Sequence, residues 1–81
     1  MFQQINEPIQ VLTSFKEGKI KPLKFLWNNR EYPVTKVNLV YHHFEGRIKF
    51  YYFAVSDSAN FFKLRFNADD LTWLLLEVYT E

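Results

Sequence analysis

The stretch Ala68-Asp69-Asp70-Leu71-Thr72-Trp73-Leu74-Leu75-Leu76-Glu77-Val78-Tyr79 decides between two folds. Leu71, Leu74, Leu75 and Val78 recur at helical spacing, and Asn67 with Asp70 stands where capping residues precede a helix. Thr72, Trp73, Val78 and Tyr79 favour extended backbone instead. Read as a helix near 69–79, the segment makes the chain α+β. Read as a strand, it ends a β-meander and lets the sheet curl toward a barrel, which leaves no open edge to aggregate. The strand is the preferred reading, and the expected fold is all-β.

The text upstream supports it. Glycine occurs only at Gly18 and Gly46, inside the near-duplicate runs Glu17-Gly18-Lys19-Ile20-Lys21 and Glu45-Gly46-Arg47-Ile48-Lys49. Both read as tight hairpin turns, and Asn28-Asn29 reads as a third because asparagine tolerates left-handed backbone. Ser56–Ala59 and Asn67–Asp70 supply two more. Between these turns the chain is dense in Val, Ile, Tyr, Phe and Thr. Six antiparallel strands are expected, at about 8–16, 19–27, 31–43, 47–56, 60–66 and 71–79. They form a barrel or strongly curved sheet in a single domain spanning 1–81, with residues 1–7 loosely ordered.

Pairing across Asn28-Asn29 sets Trp27 opposite Arg30, Phe25 opposite Tyr32 and Leu23 opposite Val34. All six share a face, with Trp27 covering the end of the core and Arg30 stacked on its ring. A two-residue Glu45-Gly46 turn pairs Val37 with Ala54, Leu39 with Tyr52, Tyr41 with Phe50 and His43 with Ile48. A three-residue loop, Asp57-Ser58-Ala59, adds Phe62, Leu64 and Phe66 to that face, which becomes the core. The opposite face then carries Asn38, Val40, His42, Arg47, Lys49, Tyr51, Phe53, Lys63 and Arg65. Aromatic rings alternate there with cations, the chemistry that grips single-stranded nucleic acid: rings stack on bases of any sequence while Lys and Arg neutralise phosphates. Tyr51 and Phe53 are expected to stack, and Lys49, Lys63 and Arg65 to meet phosphates. Alternatively, the same face docks a partner protein or a second copy of the chain.

Composition narrows the remaining classes. A chain that is 48% hydrophobic and 20% aromatic is globular, and its net charge of +1 lacks the broad excess of an indiscriminate polyanion binder. The charge is uneven, however: the first fifty residues hold eight Lys/Arg against four Glu, and the rest hold two against five acidic residues. Without cysteine there is neither a disulfide nor a thiolate site, and the apolar runs Phe50–Val55 and Trp73–Leu76 are far too short to span a membrane. A soluble, cytoplasmic protein is expected.

His42-His43 followed by Glu45 suggests metal ligands, but adjacent strand residues point to opposite faces, so the two imidazoles cannot share an ion. Asp69-Asp70 reads as a turn, and Ser56 and Ser58 have neither a neighbouring histidine nor an elbow motif. Two glycines are too few for a phosphate-binding or dinucleotide loop. No cofactor, metal or catalytic activity is expected.

The stretch Pro22-Leu23-Lys24-Phe25-Leu26-Trp27-Asn28-Asn29-Arg30-Glu31-Tyr32-Pro33-Val34 resembles a set of small bacterial domains with the pattern P-x-x-F-x-W-x-G-R-x-Y-x-V. Phe62-Lys63-Leu64 and Leu71–Glu77 are similar to the closing strands of that set. Asn29 replaces the glycine of the pattern, which the same left-handed geometry permits. The resemblance implies an all-β fold with no established activity and no catalytic residues. Some members are attached to error-prone DNA polymerases, which implies a DNA-repair setting.

Overall fold

Asn67 does cap a turn, but only a single one. Its Oδ1 accepts hydrogen bonds from the Asp69 and Asp70 backbone N–H groups at 2.8 and 3.3 Å, and its carbonyl accepts from Leu71 N at 2.8 Å. The turn then stops, because Leu71 adopts a left-handed φ of 63° and directs the chain into extended structure.

The computed structural model describes residues 1–80 and places seven strands in one sheet: β1 (Phe2–Lys16), β2 (Lys19–Trp27), β3 (Arg30–Pro33), β4 (Lys36–Glu45), β5 (Ile48–Ser56), β6 (Asn60–Asn67) and β7 (Thr72–Thr80). The order is β3-β2-β1-β7-β6-β5-β4, antiparallel throughout, with no helix among the described residues. The fold is all-β, as the strand reading requires. The sheet is strongly curved but unclosed, since no ladder joins β3 to β4. Phe25 on β2 packs edge-on against Phe62 on β6, with ring centroids 5.0 Å apart. Those strands are not neighbours in the sheet, so the face carrying both rings is the concave, inner one. Phe53, Val55, Leu64, Phe66, Trp73, Leu75 and Val78 complete the buried core on this face.

Four details differ from expectation. The strand expected over 31–43 is broken at Val34-Thr35: Val34 N donates to Leu23 O on one side at 2.9 Å, while Thr35 N donates to Ser56 O on β5 at 3.0 Å. Consecutive residues thus bond to opposite edges of the sheet, so six strands become seven. Residues 2–7, expected to be loose, lie in β1, where Phe2, Gln3 and Gln4 pair with Tyr79, Val78 and Glu77.

The third difference concerns the Asp57 loop. Ser56 pairs with Phe61, leaving four residues between them rather than three. Asp57 sets that length: its Oδ1 accepts from Ala59 N at 2.8 Å and Asn60 N at 2.7 Å, and Asp57 N donates to Asn60 O. The added residue inverts the facing of β6. Phe62, Leu64 and Phe66 now share a side with Val55, Phe53 and Tyr51, not with Ala54, Tyr52 and Phe50.

The β4–β5 turn also moves by one residue, to Gly46-Arg47, since Glu45 pairs with Ile48. A positive φ of 62° at Gly46, its first central position, fits the type II′ turn. Tyr41 consequently pairs with Tyr52 and His43 with Phe50. From Leu39 to Glu45 this slip displaces partners by two residues and preserves the faces, whereas beyond the bulge at Asn38 Val37 meets Val55 instead of Ala54 and joins the inner face.

Candidate functional site

The outer face can be built rung by rung from the strand registers. One rung across β7, β6, β5 and β4 holds Leu74, Arg65, Tyr52 and Tyr41; the next holds Glu77, Lys63, Ala54 and Leu39. Tyr41 and Tyr52 lie flat on each other, with centroids 4.9 Å apart and planes 9° apart. Lys63 Nζ lies 5.7 and 5.8 Å from their centroids, and the Arg65 guanidinium lies 4.6 Å above Phe50. Cations packed on ring faces keep their heads in solvent and cover the rings with their alkyl stems. A hydrogen bond with the Tyr41 side chain holds the Lys63 ammonium above its ordinary pKa, helped by the nearby Glu77 carboxylate and opposed by slight burial. Lys63 therefore carries its charge throughout the neutral range.

Of the five residues singled out from the sequence, only Lys63 and Arg65 come together on this face. Phe53 is 1% exposed and packs on Trp73 at 5.3 Å, so no ligand reaches its ring. Tyr51 is half-buried on the inner face, with Lys49 Nζ 4.7 Å from its centroid and His42 beside it. The expectation that all five share a surface is thus corrected, and its cause is the even length of the Asp57–Asn60 loop. Tyr41 and Tyr52, which the sequence reading assigned to the core, take the aromatic positions on the cationic side. A visible signal favoured this: a four-residue loop groups Phe53 and Val55 with Phe62, Leu64 and Phe66, an unbroken apolar face.

The opening hairpin has the register read from the sequence, Trp27 opposite Arg30 and Phe25 opposite Tyr32. Its stacking differs. The Arg30 guanidinium lies over Tyr32 at 5.8 Å, while half-buried Trp27 donates Nε1–H to Glu7 Oε1 at 3.1 Å. Phe25 is the fully buried ring of this hairpin, stacked on Tyr32 at 5.2 Å. Elsewhere, a hollow of about 620 Å³ lies where β1 separates from β7 beyond the Ile9–Trp73 pair. Its walls, among them Leu12, Phe15, Phe66 and Leu71, hold no ionisable side chain. His42 and His43 fall on opposite faces, the first against Tyr51 and the second against Phe50.

No known protein family, curated protein or solved structure matches this chain.

Proposed function

We propose that the protein is a non-catalytic binding module that holds single-stranded nucleic acid on the outer face of β4–β6. The observation that carries this reading is the placement of Lys63 and Arg65 on one solvent-facing surface with Tyr41 and Tyr52. Tyr41, 39% exposed, offers ring surface to a base, and the two cations meet flanking phosphates. The resemblance of Pro22–Val34 to small domains of which some are attached to error-prone polymerases supports the same class of ligand.

The test is fluorescence anisotropy of a labelled mixed-sequence single-stranded DNA titrated with the protein. Two phosphate contacts give a slope of about −1.4 in log affinity against log salt, so affinity drops roughly sevenfold between about 50 and 200 mM salt. Lys63→Ala should reduce that slope by about half, and Tyr41→Ala should weaken binding without changing it. Absence of binding at the lower salt removes this reading. The exposed Phe2, Phe61 and Tyr79 at the end of the same face favour a second one, a docked protein partner. Binding of that kind responds little to salt.

A further inference from the structure

The two edges of the sheet are protected very differently. β3 is four residues long, contains Arg30, Glu31 and Pro33, and ties Glu31 to Lys24 at 2.9 Å. Short length, charge and proline are the usual means by which an edge strand avoids pairing with another chain. β4 is ten residues long, and its central run Leu39-Val40-Tyr41-His42-His43-Phe44 contains neither proline nor a fixed charge. Leu39, Val40, Tyr41 and Phe44 are all exposed, on both faces of the strand. Among the described residues, its outward backbone groups have no partner strand.

We infer that β4 pairs with β4 of a second copy of this chain, antiparallel about a two-fold axis through Tyr41 and perpendicular to the sheet. Such an axis places the outer faces of both copies on the same side, so paired residues must come from the same face. Centring on Tyr41 meets that condition. Val40 and His42 both lie on the inner face and oppose each other; Leu39 and His43 do the same on the outer face. Beyond Leu39 the strand has a bulge, where its register against β5 shifts between Val37 and Leu39. With Asn38 set aside as the bulged residue, Val37 meets Phe44 and Lys36 meets Glu45, again face to face. Lys36 and Glu45 are the only Lys, Arg, Asp or Glu residues of β4, they stand at its two ends, and both are exposed. The two-fold axis therefore makes two complementary charge pairs from one strand, and the edge matches itself. Pairing β4 with β3 of a second copy has no such symmetry and would propagate without closing.

Sedimentation velocity on the full chain across about 10–500 µM, where a weak symmetric dimer shows its concentration dependence, tests this pairing. The expected result is a reversible rise from 9.8 kDa to twice that mass and no further. Val40→Lys, which places ammonium groups in the pairing strand but off the outer face, should keep the circular dichroism of the fold and remain monomeric. Lys36→Glu and Glu45→Lys should each weaken the dimer about tenfold, because each sets like charges opposite one another twice. The double exchange should restore it, an outcome that fixes the register. A single 9.8 kDa species at every concentration overturns the inference, as does a dimer insensitive to Val40→Lys or an association that grows past two copies.

Discussion

Leu71 occupies a backbone position that suits glycine. It is 68% exposed and has a φ of 63°, where a branched L-residue meets steric resistance of about 1–2 kcal/mol. Glycine removes that resistance but adds freedom to the unfolded chain, so Leu71→Gly should stabilise the protein by about 0.5–1 kcal/mol net. Urea denaturation measures this directly, and a loss of stability would mean that Leu71 contributes more to the apolar hollow than its backbone costs. Phe53 is the opposite case: Phe53→Ala empties a fully enclosed site between β5 and Trp73 and should cost about 3–5 kcal/mol. A cost below about 1 kcal/mol is incompatible with the core placement. Lys63 gives a pH signature. Its folded pKa is raised, so whatever its ammonium contributes to stability is complete below the ordinary value of 10.5 and is lost as pH rises through the folded one. The stability difference between the wild type and Lys63→Met should be constant from about pH 6 to 9 and shrink only above about pH 10.5. A difference that already falls at neutral pH excludes this linkage.

At the scale of elements, bulges and loop lengths decide which face each side chain joins. Leu75 and Val78 are three residues apart yet both buried, because the β6–β7 register skips Leu76: Leu64 pairs with Leu75 but Lys63 with Glu77. The same device on β2 buries both Pro22 and Phe25, where the register with β1 skips Leu23. A bulge thus writes helical spacing into a strand, which is why Leu71–Val78 reads either way in sequence and only its neighbours decide. The strand content and the Asn28-Asn29 hairpin were legible because β-branched and aromatic residues and left-handed turn residues are local signals. Turn position was not: Glu17-Gly18 forms a turn with positive φ at both residues, whereas the matching Glu45-Gly46 hands the turn to Gly46-Arg47. Cross-strand contacts such as Tyr41 on Tyr52 accompany the second register and are invisible in five residues of text. The candidate site was legible in Lys63 and Arg65 but not in Lys49 or the rings, because one loop residue decides which face of β5 the side chains of β6 join. Deleting Ser58 imposes the three-residue loop and would turn Phe62, Leu64 and Phe66 away from Phe53 and Val55. The expected result is loss of the native near-ultraviolet circular dichroism and of cooperative unfolding, and a cooperative variant of wild-type stability contradicts this account of the loop.

At the scale of the whole molecule, the curl of the sheet and its open β4 edge act together on the proposed binding face. Curling buries the inner rings and turns Tyr41, Tyr52, Lys63 and Arg65 outward near the β4 edge, on the last three strands of the sheet. An edge-to-edge dimer with its axis perpendicular to the sheet places two such faces side by side, separated by a pair of β4 strands. Four cations then lie along one continuous surface, and a single strand long enough to cross the axis meets both sets. For such a long oligonucleotide the salt slope should approach about −2.8, against about −1.4 for one that covers a single face. Val40→Lys, monomeric by design and unchanged on the outer face, should return the long oligonucleotide to the lower slope while leaving the short one unaffected. Equal slopes for long and short strands in the wild type, under conditions where sedimentation shows a dimer, would mean that the two faces bind independently of each other. Loss of binding to both lengths in Val40→Lys would instead place the contact surface on β4 itself rather than on the rungs of Lys63 and Arg65.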